Sequence, residues 1–458
     1  MTLRQRALRA GIWTIASYGV EMSTKLLSNL IMTRLLFPDA FGVIAAAMAL
    51  IVGIQLLTDF GVRTVIIQSP RGEDVGFLRS AWVFQCYRGV LLWALIAIAC
   101  AILSFSSVRS MLPTTSVFAD PSFPAVVGTL GLTLVLSGLE STALSLNVRR
   151  LNFRPIVFLD LTARITVLPI MIAWAYAFPS VWAIVAGTLI GSLLRVILSH
   201  VIIPGPRMTF GCQREHIKEI MTFGKWINLS SVATFVGSQS DVIILGLLLP
   251  SPMLGVYYIA KMLTDTVESL LERLNSTMAL PVLGEVIRTN AHNLKDRYYR
   301  FRLPIELIAA GSAGFLFATG DVIISILYDQ RYSEAGLMLR ILSFGLLIYP
   351  FQLIRSAFTA VAKAHIVAWV SVFQAISLVV CLSLGYYLYG ALGAIAGVAI
   401  NRIFPSIVIL GLAFRANWIS PWKELRWIPT YALGFLLGEA FIRFFEPFAA
   451  MNVRNFFH

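Results

Sequence analysis

The residues of this chain that could do chemistry are polar side chains set inside long apolar runs. Tyr18, Glu21, Lys25 and Ser28 recur at i, i+3, i+7 and i+10, and Ser231, Thr234, Ser238 and Asp241 repeat the pattern. Gln55, Asp59 and Arg63 recur at i, i+4 and i+8, and Lys261, Asp265, Glu268 and Glu272 at i, i+4, i+7 and i+11. On a helix each set shares one face. A charge turned toward lipid costs at least about 2–3 kcal/mol, so such stripes face water or one another. The first reading is a shared aqueous cleft lined by four helices. The second is internal pairing, since Glu21–Lys25 and Lys261–Asp265 both have i,i+4 spacing. Asp59, Arg63, Glu272 and Arg273 fall near helix ends, where snorkelling suffices. Ammonium and guanidinium groups suit phosphate oxygens, so the cleft reading points to an anionic head group. Further span arginines, Arg34, Arg88, Arg164, Arg195, Arg340, Arg355 and Arg402, are expected to be mostly structural, some paired with Glu140, Asp160 or Glu306.

Covalent chemistry finds little support. No GxxxxGK[ST] loop cradles a nucleotide and no GxSxG elbow is present, so the chain is not expected to be an enzyme. A membrane-embedded acyl or glycosyl transferase is the minor alternative. Cys86, Cys100, Cys212 and Cys381 are scattered, and the five histidines lack ligand spacing, so no disulfide framework, metal site or cofactor is expected. The net charge of +13 lies mostly in short loops, which argues against nucleic acid.

The elements that must hold these residues are membrane helices. Of 458 residues 58% are hydrophobic and only 13% charged, against about 25% charged in soluble domains. Thirteen spans of about 20 apolar residues are expected: 11–36, 40–67, 80–104, 124–147, 155–178, 180–203, 224–249, 253–280, 303–320, 335–362, 365–388, 391–413 and 428–445. Segment 281–302 reads as a Lys/Arg/Tyr-rich linker. A gapless repeat relates Gly11 to Gly224, Trp13 to Trp226, Leu35 to Leu248, Gly42 to Gly255 and Ala47 to Ala260, and carries Tyr18, Glu21, Lys25 and Ser28 onto Ser231, Thr234, Ser238 and Asp241, and Gln55 and Asp59 onto Glu268 and Glu272. A repeat near half the chain length implies two like halves with a binding site between them. The expected division is a six-helix bundle over 1–210, a second over 211–413, and an interfacial segment with one extra helix over 414–458. With the N-terminus inside, 21 Lys/Arg fall in cytoplasmic segments and 3 in outer ones, which sets the orientation. The basic N-terminus (Arg4, Arg6, Arg9) leads into a retained first helix rather than a signal peptide. Gly187/Gly191, Gly393/Gly397 and Gly434/Gly438 offer close helix packing.

Three stretches carry a resemblance. Thr33-Arg34-Leu35-Leu36-Phe37-Pro38-Asp39-Ala40-Phe41-Gly42, Asp59-Phe60-Gly61-Val62 through Gln68, and Val148-Arg149-Arg150-Leu151-Asn152-Phe153-Arg154 resemble motifs of the polysaccharide transporter family, clearest over 1–160. That family holds lipopolysaccharide and exopolysaccharide flippases of bacterial inner membranes and shares a superfamily with multidrug antiporters and the lipid II flippase. The resemblance implies two six-helix bundles, a V-shaped cavity lined by the first, second, seventh and eighth helices, and alternating access. It implies flipping of an undecaprenyl-pyrophosphate-linked oligosaccharide. Lys25 and Lys261 would meet the pyrophosphate, Ser231, Ser238 and Gln55 the sugar hydroxyls, and Glu21, Asp241 or Asp265 a coupling H+ or Na+. Tyr18, Thr234 and Glu268 would complete the cavity, and a polymerase or export machinery would be a partner. Thirteen helices depart from the usual even number. The runner-up is a cation-coupled multidrug antiporter, and a third reading is a non-transporting scaffold in a polysaccharide-synthesis complex.

Overall fold

The computed structural model describes residues 3–105, 110–113, 115–275, 294–360, 364–415 and 418–455, and they are helical or in short turns, with no strand among them. In order the helices are α1 (Leu3–Leu35), α2 (Pro38–Leu57), α3 (Val62–Gln68), α4 (Val75–Ser104), α5 (Phe123–Leu130), α6 (Leu132–Leu139), α7 (Ala143–Arg149), α8 (Arg154–Ala177) and α9 (Val181–Val201). They continue with α10 (Arg214–Ser238), α11 (Ser240–Leu248), α12 (Ser251–Leu274), α13 (Leu294–Leu327), α14 (Ala335–Ser343), α15 (Gln352–Ala360), α16 (Ala364–Asn401), α17 (Ile403–Arg415), α18 (Pro421–Glu424) and α19 (Trp427–Asn455). Among the described residues seven helical stretches are long and apolar enough to cross a bilayer, eight if the bent pair Phe123–Leu139 and Ala143–Arg149 is one span. Among the described residues helix occupies part of each of the thirteen expected places; 276–280 and 361–362, of the eighth and tenth, lie outside them. The first, seventh, eighth and thirteenth fall outside that apolar class, the first, seventh and eighth because of charge or breaks.

Local rules explain many boundaries. Pro38 opens α2, where its missing N–H is no loss, and Asp39 sits in the first turn against the helix dipole. The Asp74 carboxylate caps α4 by accepting from the Gly76 N–H at 3.1 Å. Tyr389 and Gly390 leave helical geometry, Gly390 with φ +61°, so α16 is two helices meeting at a kink. That kink falls between the expected spans 365–388 and 391–413.

The structure departs from expectation at several points. The second span breaks at 58–61 and the fourth at 140–142, and the tenth contains a 3-10 stretch, Phe344–Phe351. The stretch 321–334 continues α13 to Leu327 before a 3-10 turn capped by Asp329. The expected linker 281–302 is helical from Leu294; its residues 281–293 lie outside the described ones. Arg302, assigned to that linker, is fully buried, because Glu306 and Glu424 neutralise it there.

The chain forms two compact units. One is Met1–Phe235 with Gly246–Pro252; the other is Val236–Leu245 with Met253–His458. In the first unit the start of α10 is fastened down. Glu219 accepts from the Ser69 hydroxyl at 2.7 Å, the His216 ring bonds to Ser80 at 3.1 Å, and Ile220 is buried beside Val65, Ile66 and Phe77. In the second unit α19 packs on α13 through small residues: Gly434 against Gly311, and Gly314 against the backbone of Tyr431. Backbones this close leave no room for a Cβ.

Candidate functional site

Two of the three resembling stretches meet in the first unit. Asp59 lies in the break between α2 and α3, its carboxylate accepting from the Gly61 N–H at 2.8 Å. Gly61 has φ +58°, and a Cβ there would press on Ile227, so glycine is required twice over. At the far end of α3, Arg149 Nη1 donates to the carbonyls of Ile66, Ile67 and Ser69 at 3.0, 3.0 and 2.5 Å. These are orphan acceptors of a helix C-terminus, satisfied by a cation as the dipole favours. Arg150 turns outward to Glu73 at 2.8 Å, and this guanidinium holds the Glu73 carboxyl below the usual carboxylate range.

The break in the fourth span is built in the same way. The Leu139 carbonyl accepts from Trp82 Nε1 at 3.1 Å and lies 2.9 Å from His200 Nε2. The Ser141 N–H donates to Ser199 Oγ at 3.0 Å, and the Thr142 hydroxyl donates to the Leu78 carbonyl at 3.0 Å. An interrupted membrane helix survives only where its freed backbone groups find such partners.

A ladder of ion pairs runs beside this break. Glu21 of α1 pairs with Arg164 of α8 at 2.7 Å. Arg195 of α9 pairs with both Glu140, at 2.7 Å, and Asp160. The expected alternative pair Glu21–Lys25 is therefore not the one Glu21 makes. Lys25 is exposed and forms no ion pair with the described residues. Gln55 is exposed, and its backbone carbonyl accepts from Arg88 at 2.7 Å; Arg88 also stands 3.9 Å from Asp59. Ser231 donates to Asp59 at 3.3 Å. Tyr18 is half-buried and Thr234 exposed.

The second unit holds a denser group. Asp241 on α11 accepts on one oxygen from Lys261 Nζ at 2.6 Å and Tyr257 Oη at 2.5 Å, both on α12. This pair is well buried, with side chains 7% and 12% exposed. Glu268, two turns beyond Lys261, pairs with Arg402, which follows α16. Asp265 lies between them, within electrostatic reach of Lys261, Glu268, Asp241 and Arg402, and none of the described residues hydrogen-bonds it. The structure thus joins Asp241, Lys261, Asp265 and Glu268 in one cluster; Ser238 is half-buried at the end of α10. Arg402 and Arg164, expected among the mostly structural arginines, each hold a carboxylate of a polar stripe. Spacing cannot reveal partners from other helices; the only signal was the surplus of carboxylates on their faces. Among the described residues no three His, Cys, Asp or Glu side chains converge as metal ligands.

A polytopic, all-helical membrane protein with charged clusters buried in its spans is the class defined by these features. Its fold is shared with the lipid II flippase MurJ in an inward closed conformation (TM-score 0.70, 14% identity, 96% of this chain and 99% of that one). It is shared too with an inward-facing multidrug resistance MATE family transporter of the MOP superfamily (TM-score 0.66, 14% identity, 89% and 95% covered). The chain belongs to the polysaccharide biosynthesis protein family, whose profile matches residues 31–337. It is similar to the lipopolysaccharide biosynthesis protein WzxC of Escherichia coli strain K12, at 19% identity over 96% of this chain and 89% of that protein. It is also similar to the succinoglycan biosynthesis transport protein ExoT of Rhizobium meliloti strain 1021, at 20% identity over 97% and 87%.

Proposed function

We propose that this protein is a flippase that carries an undecaprenyl-pyrophosphate-linked oligosaccharide from the inner to the outer leaflet of the bacterial inner membrane. It works by alternating access, with its N-terminus cytoplasmic, and makes or breaks no covalent bond. The observation that carries this reading is Lys25. It is an exposed ammonium on a polar membrane-helix face, and its neighbour Glu21 is already matched by Arg164. Such a cation is open to a phosphate diester. The family, and the names of WzxC and ExoT as lipopolysaccharide biosynthesis and succinoglycan transport proteins, support the substrate class. Tyr18, Gln55, Ser231, Thr234 and Ser238 supply hydroxyl, amide and ring contacts for the sugar. The division into bundles over 1–210 and 211–413 with an added segment 414–458, the V-shaped cavity, coupling to H+ or Na+, and docking to a polymerase or export machinery belong to the same proposal.

The test is reconstitution in liposomes with a fluorescent lipid-linked oligosaccharide, following its appearance in the opposite leaflet. Lys25→Ala is expected to slow transfer at least about tenfold while insertion into the membrane is kept. Full-speed transfer by that variant rejects the role. A multidrug antiporter would instead change drug susceptibility in a deletion strain whose surface polysaccharide stays normal.

A further inference from the structure

The cluster in the second unit is one cation short. It holds three carboxylates, Asp241, Asp265 and Glu268, against two cations, Lys261 and Arg402. Each cation is already engaged: Lys261 by Asp241 at 2.6 Å, Arg402 by Glu268. The odd carboxylate is Asp265, one helical turn from Lys261. The other groups facing it are phenols, Tyr257 and Tyr258 on the same helix, which add no compensating charge. Tyr349 lies near Glu268 and is likewise neutral. The contrast with the first unit is direct. There Glu21 has Arg164, and Glu140 and Asp160 share Arg195 with Arg63 within reach of Glu140, so no carboxylate of that group lacks a cation.

An excess negative charge at membrane depth is costly, and it repels an anionic head group. Lys261 therefore cannot serve a pyrophosphate while Asp241 and Asp265 both remain charged. Adding one proton to Asp265 removes the excess. A pyrophosphate diester arriving then meets a cluster without net charge, and can take Lys261 away from Asp241. We infer that a proton on Asp265 and the pyrophosphate of the substrate bind this cluster together, each strengthening the other, rather than competing for it. The inference rests on the substrate class proposed above. Protonation is chosen over sodium because a lone carboxylate takes a proton, whereas a sodium ion needs several oxygens, and among the described residues no three His, Cys, Asp or Glu side chains converge to supply them. Linkage makes the effect reciprocal: if the proton raises substrate affinity, substrate raises proton affinity by the same factor.

The experiment measures binding of a short-chain polyprenyl-pyrophosphoryl sugar to the purified full-length protein in detergent. This diester keeps both negative charges throughout the range used, so any pH dependence belongs to the protein. Between about pH 8 and about pH 6 the affinity is expected to rise by about tenfold, the scale of one unit charge at these distances in a protein interior. In weak buffer, binding at the upper pH takes up protons, read with an indicator dye. Asp265→Asn is expected to bind at the upper pH as the parent does at the lower, without proton uptake, while Asp265→Glu keeps the dependence. Affinity that is flat or falls as pH drops overturns the inference, as does an Asn variant that binds more weakly at the upper pH. An equal gain at constant pH on replacing choline by sodium overturns the choice of the proton. Absence of binding at every pH removes the substrate class itself, and this inference with it.

Discussion

Arg149 and Arg150 are neighbours in one resembling stretch, yet they do different work. Arg149 satisfies three carbonyls at the end of α3. Truncating it strands acceptors inside the first unit, so Arg149→Ala is expected to cost about 2 kcal/mol, seen as a lower melting temperature in detergent. Arg150→Ala, which breaks only the exposed pair with Glu73, should leave melting at neutral pH nearly unchanged. The sign of the pH effect follows from the lowered Glu73 carboxyl. Its small contribution is present above the ordinary carboxylate range and lost as pH falls through the lowered one, so parent and Arg150→Ala should converge in acid. The polar faces were legible at this scale, because side chains three and four apart must share a side. Their partners were not. Glu21 meets Arg164 and Lys261 meets Asp241, across helices that spacing alone cannot bring together.

Helix positions were legible because about 20 apolar residues leave a membrane chain few alternatives. The interruptions were not. The break at 140–142 exists because Trp82, His200, Ser199 and Leu78 stand ready with donors and acceptors from other elements. The repeat offset carries Leu139–Thr142 onto Gln352–Arg355, directly after the 3-10 stretch Phe344–Phe351. The glycine seam was legible at Gly434 and Gly438, though its counterpart on α13 was not. Gly434→Leu would drive a side chain into the Gly311 backbone. It is expected to destabilise the second unit by about 1–3 kcal/mol and to make α19 accessible to protease in detergent, while Gly411→Leu, with open space around it, serves as the control.

For the whole molecule, the distribution of Lys and Arg was the strongest signal, and it yields a topology that can be checked residue by residue. With the N-terminus inside as proposed, single cysteines placed at Arg71, Arg150 and Arg207 should react with an impermeant maleimide only after the inner face is opened. A cysteine at Arg331 should react in intact cells. The reverse pattern, or labelling of both groups from one side, contradicts the proposed orientation. Arg302 lay beyond this reasoning, since a basic residue in a basic stretch looks like a loop residue until its partners are known. It is held in the second unit by Glu306 at 2.9 Å and by Glu424, while Tyr299 donates to Glu424 at 2.6 Å. That latch has a bearing on any attempt to trim the protein. A chain cut after Ala413 would forfeit Glu424 and α19 at a stroke, leaving that guanidinium to Glu306 and baring the glycine groove beside it. The closing helix and the segment before it are therefore no dispensable appendage; α13 carries a buried charge and a glycine face that only their company makes tolerable.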